Sequence, residues 1–407
     1  MKNQFMAAVG PTALLLFAVA PLFPLNNAEA QSAANPDSGA TTNANAAPQG
    51  ALTRFNTKLK SDARGFSNPD KVYTVEEIRN AKPLPWTPAP PADKSKNRGF
   101  ETLTPGSGGE PQSGPSAKPD AAADLDAQLE FAEQWRLIQQ VAELEKQGLL
   151  PEDTTSAISG SSKKAFETGG TGFGTADIYT GYPGNYWTST WTTYPHRAIG
   201  KLLIDGGGYC TAQVISPKNI IVTAAHCVYN GGSWNTGWTF VPAERYGSAP
   251  YGQFRWTRAD VLPGWQSSGN RRNDVALIQL ANNSAGRSVT YYTGWLGWRM
   301  NYPYIRSLHS FGYASNISTQ YTSVCAAESF YASSEGTDVL NKGCNMTYGS
   351  SGGAWIDLYR PFQSGAMNYV ESVVSGPSTA GAFGQTYVGP RFSSANFGTL
   401  CNRYGGC

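Results

Sequence analysis

The stretch IIVTAAHC, Ile220–Cys227, ends a β-branched apolar run with a histidine beside a cysteine. Such a run predicts a buried strand, with His226 at its end. The 407-residue chain has only three histidines, and the other two are His196 and His309. This scarcity restricts the catalytic arrangements that the sequence can contain. We expect His196 and His309 to be ordinary loop or strand residues.

A second stretch, YGSSGGAW, contains the pattern G-x-S-x-G at Gly349, Ser351 and Gly353. In an α/β-hydrolase this pattern forms the turn that carries the nucleophile, and the chain order is serine, acid, histidine. No histidine follows Ser351. The chain also lacks the alternation of strands and helices which that fold requires. The pattern therefore does not indicate a lipase or esterase.

The stretch NDVALIQL places Asp274 at the start of a predicted buried strand, between His226 and Ser351. The resulting order, histidine, aspartate, serine, is that of the chymotrypsin-type triad and differs from that of subtilisin. Asp260, in DVLPGW, is a second candidate for the acid.

The three residue types suit nucleophilic catalysis. A serine hydroxyl attacks a carbonyl only when a neutral imidazole removes its proton, and the imidazole later returns that proton to the leaving group. A carboxylate orients the imidazole and stabilises its charged form. Glycines beside the serine allow backbone N–H groups to approach the oxyanion closely.

TAAHC, NDVALI and GSSGG together resemble the trypsin/chymotrypsin family of serine endopeptidases. PHRAIGKLLI, CTAQVIS and SFGYASN are more similar to secreted bacterial members related to the staphylococcal glutamyl endopeptidase. The resemblance covers roughly residues 185–400 and none of the first 165. It implies that Ser351 is the nucleophile, His226 the general base and Asp274 its orienting carboxylate. It also implies an oxyanion hole formed by the N–H groups of Gly349 and Ser351.

The resemblance further implies that the strand at Ser375 and Gly376 pairs with the substrate backbone. Asn345 stands where trypsin-like members have an acid on the floor of the specificity pocket. Met346 and Val374 occupy the positions of the hydroxyl residue and the histidine that glutamyl-specific members use. Neither charge preference is therefore implied, and we expect a neutral, apolar pocket.

Ser350 departs from the pattern of the animal digestive enzymes. At this position those enzymes have an aspartate, which pairs with the new N-terminal amine after activation cleavage. Ser350 has no carboxylate, so activation through a new N-terminus is not implied here.

The second half of the chain consists of short apolar runs separated by Gly, Pro and Asn, which predicts a closed antiparallel barrel or a sandwich. The resemblance implies an all-β fold of two packed six-stranded antiparallel barrels, chymotrypsin-like, in residues 166–407. Net charge is only +2, which gives no indication of nucleic-acid or membrane binding. We expect a monomer that acts on polypeptide substrates.

Lys2, the apolar run ALLLFAVA and the AEA at residues 28–30 together predict a signal peptide over residues 1–30. The protein is therefore expected to be secreted, extracellular or periplasmic. An even number of cysteines in an exported chain indicates disulfides. Six cysteines allow fifteen pairings, and nearest-neighbour pairing is our working hypothesis. It joins Cys210–Cys227, Cys325–Cys344 and Cys401–Cys407. We also considered a zinc site formed by His196, His226, Cys210 and Cys227, but the spacing matches no recognised ligand pattern.

Residues 31–165 are predicted to be a pro-segment, largely disordered or helical. YTVEEIRNAKP predicts a short helix that Thr74 caps, with Glu77 three residues later. The Gly/Ser/Pro-rich residues 104–119 predict a linker, and an amphipathic helix follows near residues 124–147. Lys163 and Lys164 are a candidate processing point. The segment is expected to aid folding or to block the cleft.

These observations predict a secreted serine endopeptidase that acts through an acyl-enzyme and needs no metal or organic cofactor. The alternative is a catalytically silent relative that binds peptides or a partner.

Overall fold

The structure is a computed structural model, which describes residues 54–56, 71–85, 109–147, 149, 180–182, 191–332, 335–378 and 386–407. All of them lie in one compact unit, Gln49–Cys407. The predicted signal peptide, the Lys163–Lys164 processing point and the domain boundary near residue 165 lie outside the described residues. In the part of the chain that is described, no helix is long and apolar enough to span a bilayer.

Most of the described elements are strands. In chain order they are β1 Arg54–Asn56, β2 Lys82–Pro83, β3 Gln112–Gly114, β4 Thr180–Tyr182, β5 Ile199–Ile204, β6 Gly208–Ser216, β7 Ile220–Thr223, β8 Tyr229–Asn230, β9 Ser233–Trp234, β10 Thr239–Pro242, β11 Phe254–Val261, β12 Ala276–Leu280, β13 Gly297–Met300, β14 Ser307–Gly312, β15 Ser323–Tyr331, β16 Val339–Gly343, β17 Ala354–Asp357, β18 Tyr369–Val373, β19 Gly376–Pro377 and β20 Thr386–Pro390.

The helices are short, apart from two before the barrels. They are α1 Val75–Arg79, α2 Ala123–Glu130, α3 Ala132–Lys146, α4 Pro263–Ser268, α5 Val289–Thr293 and α6 Thr399–Arg403. Single 3₁₀ turns cover His196–Ala198, Ala225–Cys227 and Arg271–Asn273, and a π turn covers Ser394–Gly398.

Six antiparallel strands close the first barrel in the order β5, β6, β7, β12, β11, β10 and back to β5. Closure pairs every strand on both edges and leaves an interior just wide enough for side chains to fill. Every residue of β5 and β7 is buried. The apolar runs of the sequence are therefore the walls of this barrel.

The second barrel follows the order β14, β15, β16 and β20, then β19 together with β18, then β17 and back to β14. Only Val374 and Ser375 separate β18 from β19, so these two segments act as one interrupted strand. The largest buried apolar cluster fills the first barrel and extends to Ile356 and Val370 of the second. The barrels therefore pack through a shared core, and the expected all-β, chymotrypsin-like fold is confirmed.

The segment before the barrels is attached to both of them by strand pairing. β2 pairs with β6 of the first barrel, and β3 pairs antiparallel with β13, which joins the sheet of the second. The linker predicted over residues 104–119 is thus wrong for Gln112–Gly114. Glycine and serine there allow close backbone approach, since a Cβ on Gly114 would lie 2.4 Å from the Trp298 indole nitrogen.

Two helices, α2 and α3, occupy the region where one amphipathic helix was expected, and Phe131 separates them at φ −121° and ψ 40°. The predicted apolar stripe is buried on α3 at Val141, but on α2 it is not the buried face: Leu125 and Leu129 are 62% and 71% exposed. The small Ala123 and Ala127 are buried instead. In this orientation the carboxylates of α2 pair with arginines near the first barrel, Asp124 with Arg197, and Asp126 and Glu130 with Arg287.

The short helix predicted from YTVEEIRNAKP is present as α1. Thr74 accepts a hydrogen bond from the Glu77 amide at 3.2 Å, and Glu77 Oε2 accepts one from the Thr74 amide at 2.8 Å. This is the reciprocal pairing of a capping box. Tyr73 and Ile78 flank it, and both are buried.

A buried charge cluster gives a pH-dependent prediction. Glu371 lies near Arg299 and Arg306, and burial followed by the negative charge of Asp357 raises the pKa of Glu371 to about 8. Since an unfolded glutamate titrates at about 4.3, the folded state binds more protons between these values. The free energy of unfolding should therefore fall as pH rises from about 5 to 8.

Glu371→Gln cannot ionise, so its free energy of unfolding should depend less on pH over this window than that of the wild type. Chemical denaturation at pH 5, 6, 7 and 8 measures the difference. The exposed Glu328 provides the control variant Glu328→Gln. Parallel curves for Glu371→Gln and the wild type would contradict the prediction.

Candidate active site

His226 lies on the 3₁₀ turn Ala225–Cys227, directly after β7. Its side chain is 1% exposed, and its ring is 6.2 Å from that of Trp265 between centroids. The Cys210–Cys227 disulfide ties the turn to β6. Trp238 Nε1 donates to the Cys227 carbonyl at 3.1 Å. The disulfide and this hydrogen bond therefore both hold the backbone next to His226 in place.

Asp274 follows the turn Arg271–Asn273 and precedes β12. Because β12 pairs with β7, with Ala276 opposite Thr223, Asp274 and His226 meet at one end of the first barrel. The His226 amide donates to Asp274 Oδ1 at 2.9 Å, and His226 Nδ1 lies 2.9 Å from Oδ2. Ser375 Oγ donates to the same Oδ2 at 2.5 Å. The fully buried carboxylate is therefore hydrogen-bonded on both oxygens.

The contact with Asp274 assigns the proton of His226 to Nδ1, which leaves Nε2 as an acceptor. Nε2 is buried and has no hydrogen-bond partner within the described residues. No hydrogen bond is formed there between Nε2 and Ser351 Oγ. In substrate-free enzymes such bonds are often long and tighten when substrate binds.

Ser351 lies in a tight turn just before β17, and it is 4% exposed. Its carbonyl accepts a hydrogen bond from the Thr211 amide of the first barrel at 2.8 Å. Gly352 follows at φ +80°, where a Cβ would lie 2.0 Å from Thr223 Oγ1. Gly353 is equally restricted, since its Cβ would lie 2.0 Å from the Phe311 carbonyl. The glycine pair therefore brings the serine turn into direct contact with neighbouring backbone.

Gly349 has φ +87°, and its carbonyl accepts a hydrogen bond from Thr211 Oγ1 at 2.9 Å. Within the described residues, the amides of Gly349 and Ser351 donate to no protein acceptor. Two unused N–H groups beside the predicted nucleophile are what an oxyanion hole requires. The intervening Ser350 is buried, and its hydroxyl donates to the Thr347 carbonyl at 2.7 Å.

The predicted substrate-binding residues lie beside this turn. Val374 exchanges hydrogen bonds with it: its carbonyl accepts from Gly352 at 2.8 Å and its amide donates to Gly353 at 2.9 Å. Gly376 begins β19, the strand at one end of the sheet order among the described strands. Asn345 is half-buried, whereas Met346 is fully buried in a cluster with Val374, Trp355 and Tyr387. Met346 is therefore a core residue as well as a pocket candidate.

The structure joins the six cysteines as nearest neighbours: Cys210–Cys227, Cys325–Cys344 and Cys401–Cys407. Cys210, His226 and Cys227 are close enough to hold a metal ion, but the disulfide consumes both thiolates that zinc would need. The donor set therefore does not suit the zinc site that we considered from the sequence.

The other candidates lie away from this site. His196 Nε2 contacts Tyr359 Oη at 2.5 Å, and His309 is part of β14. Asp260 forms an ion pair with Arg258 at 2.6 Å. The sequence interpretation missed the support supplied by Thr211 and Thr223, whose only signal was a polar residue within an apolar strand. It also missed the bond from Ser375 to Asp274.

This site, on two antiparallel barrels, resembles that of a serine protease. Residues 187–375, a little under half of the chain, match the family model described as Trypsin.

Three relatives show how far the similarity extends. The "Extracellular metalloprotease" of Bacillus subtilis is 35% identical over 117 residues, which cover 27% of this chain and 36% of that protein. The "Glutamyl endopeptidase" of Bacillus licheniformis is 37% identical over 103 residues, 25% of this chain and 31% of that protein. The chain thus matches about a third of the length of these curated relatives. The crystal structure of protease Anisep from Arthrobacter nicotinovorans is 26% identical, with a TM-score of 0.45 over 55% of this chain and 99% of that one.

The packing of Gly352 gives a stability prediction. Gly352→Ala should lower the free energy of unfolding by more than about 3 kcal/mol, because the added Cβ would overlap Thr223 and the Thr211 carbonyl. Such a loss is among the largest that single substitutions cause. Gly286 is a matched control: its φ is +77°, but no atom lies within 4 Å of its Cβ position.

Gly286→Ala should therefore cost only the backbone strain, about 1 kcal/mol. Urea denaturation of both variants separates the two contributions. Equal losses of stability would show that the close packing of Gly352 is unimportant.

Proposed function

We propose that the protein is a serine endopeptidase in which Ser351, His226 and Asp274 form the catalytic triad. The observation that carries the proposal is the buried carboxylate of Asp274, which accepts hydrogen bonds from the His226 amide and from Ser375, and lies 2.9 Å from His226 Nδ1. This arrangement leaves Nε2 of His226 available as a base. A purely structural histidine would have no need of an unused, buried ring nitrogen.

In this mechanism His226 Nε2 removes the proton of Ser351 Oγ as the oxygen attacks the scissile carbonyl. The same nitrogen then donates that proton to the leaving amine, and an acyl-enzyme forms. Water hydrolyses the ester by the reverse sequence of proton transfers. Asp274 stabilises the imidazolium and does not itself take up a proton.

The unused amides of Gly349 and Ser351 would donate to the oxyanion in each tetrahedral intermediate. The edge of β19 at Gly376 that faces no described strand would pair with the substrate backbone, which gives affinity without sequence preference. Both features support polypeptides as the substrate class.

For the specificity pocket we propose a preference for neutral, apolar side chains. Met346 and Val374 bring apolar surface to the position where charge-selective relatives have polar groups. The pocket candidate Asn345 is uncharged.

We further propose that the protein is secreted and monomeric. The three disulfides require an oxidising compartment, and one relative is named as extracellular. For the segment before the barrels, the contacts favour a folding role over inhibition. Hydrogen bonds and ion pairs of residues 71–147 reach the barrels, but within the described residues none reaches the triad.

Replacing the nucleophile is the direct test. Ser351→Ala should lower kcat for a peptide substrate by at least about 10³-fold, because no attacking oxygen remains. Ser350→Ala is the matched control: it removes a hydroxyl one residue away and should retain kcat within about tenfold, since the bonds lost are those to Thr347 and Tyr387 and none to the triad.

The measurement is mass-spectrometric turnover at saturating substrate, with the circular dichroism spectrum as a check of folding. A wild type that cleaves no peptide would support the catalytically silent alternative, whereas cleavage unchanged by Ser351→Ala would overturn the assignment of Ser351 as the nucleophile. That relative would still bind peptides at β19, and calorimetry would detect the binding.

A mixed peptide library tests specificity. We expect cuts after neutral and apolar residues, and none of the enrichment for Arg or Lys that a pocket carboxylate would produce. Met346→Asp should shift some cleavage toward basic residues if this position lines the pocket. Unchanged cuts in that folded variant would mean that Met346 serves the core alone.

A further inference from the structure

Helix α1 shares a buried apolar cluster with residues under the oxyanion turn, which we define as residues 347–353. Ile78 is 1% exposed and packs in this cluster with Tyr209 of β6 and Tyr313, which follows β14. Tyr73, at the other end of the capping box, belongs to the same cluster. The N-terminal segment thus completes part of the core on which the turn rests.

A buried ion pair connects α1 to the two tyrosines. Lys201 Nζ lies 3.0 Å from Glu244 Oε2, and both side chains are fully buried. The same ammonium donates to the Ile78 carbonyl at 3.3 Å and lies 5.2 and 5.3 Å from the ring centroids of Tyr209 and Tyr313. Because a buried charge needs all its partners, loss of the α1 carbonyl would disturb this region.

The tyrosines in turn contact the oxyanion turn. Tyr209 Oη donates to the Tyr313 carbonyl at 3.2 Å. A Cβ on Gly349 would lie 2.5 Å from each of these two oxygens, so both are packed directly against the Gly349 backbone. The Tyr313 amide also donates at 3.1 Å to Thr211 Oγ1, which itself donates to the Gly349 carbonyl.

Backbone and side-chain bonds hold α1 in this position. The Leu84 amide donates to the Tyr209 carbonyl at 2.9 Å, next to the pairing of β2 with β6. Arg79 donates to the Tyr246 carbonyl at 3.0 Å, and Gln320 Nε2 donates to the Arg79 carbonyl at 3.0 Å. Before Ile78, the Tyr73 amide donates to Gln253 Oε1 at 2.9 Å. Residues on both sides of Ile78 are therefore anchored to the barrels.

We propose that residues 73–84 are an intramolecular activator, which holds the oxyanion turn in its active conformation through Ile78, Lys201 and Tyr209. As positioning residues, these three act on Gly349 and do not touch the substrate. The activating role rests on the proposed function, but the structural link does not. Ser350 has no carboxylate that could anchor the turn to an N-terminal amine, so support from beneath takes that place.

Full-length protein with Ile78→Ala tests the proposal, and Val72→Ala, at a position 73% exposed beside α1, is the matched control. Hydrogen exchange with mass spectrometry should show about tenfold faster exchange in peptides covering residues 347–353 for Ile78→Ala only. If the turn is then ordered in about one molecule in ten, kcat should fall about tenfold with KM unchanged. Ile78→Val should show smaller changes in the same direction, and it replaces Ile78→Ala if that variant does not fold.

The two proposals fail separately. Unchanged exchange in residues 347–353 of a folded Ile78 variant overturns the link between α1 and the turn, whether or not the wild type is active. Faster exchange with unchanged kcat also overturns the activating role. A wild type without Ser351-dependent cleavage overturns the peptidase function and the activating role together, whereas exchange still decides the structural link.

Discussion

The hydrogen bond from the Thr211 amide to the Ser351 carbonyl joins the two barrels at the point on which the site depends. The predicted nucleophile belongs to the second barrel, whereas His226 and Asp274 belong to the first. Their separation is thus set by how closely the barrels approach. Gly352 permits this approach, because any side chain would overlap Thr223 at 2.0 Å. The adjacent residue, Cys210, carries the disulfide to Cys227, so one short segment of β6 fixes both sides of the site.

Two charged groups of the interior, Asp274 and Lys201, each have several polar partners. Asp274 accepts from one amide and one hydroxyl in addition to its contact with the imidazole. Lys201 combines a carboxylate with a carbonyl of α1. Lys342 is the contrasting case, with only the carbonyls of Leu308 and Cys325, and burial lowers its pKa to about 7. An isolated buried charge is costly, so the fold provides polar partners where ionisation is needed for function.

The catalytic candidates could be predicted from the sequence because their chemistry admits few residue types. With three histidines in the chain and none after Ser351, the order of histidine, aspartate and serine was nearly determined. The barrel strands could likewise be predicted, because they are short apolar runs. The docking of α2 could not be predicted in this way. Leu125 and Leu129 indicated a buried face that is in fact exposed, and the carboxylates of α2 instead pair with Arg197 and Arg287. Such pairs join residues far apart in sequence, and no local pattern reports them. The strand Gln112–Gly114 was missed for the same reason: its composition is that of a linker, and only pairing with β13 makes it a strand.

The segment before the barrels is part of the folded core. Three of its strands, β1, β2 and β3, join the sheets, and α1 supplies a carbonyl to a buried ammonium. Removing it would expose apolar surface on Tyr209 and Tyr313, which pack against Ile78, and would leave Lys201 with one partner fewer. Cleavage downstream of residue 147 need not have that effect, because the contacts described are noncovalent and would persist in a two-chain protein. In such a protein the segment remains part of the folded core after processing, and Ser350 can lack a carboxylate without leaving the oxyanion turn unsupported.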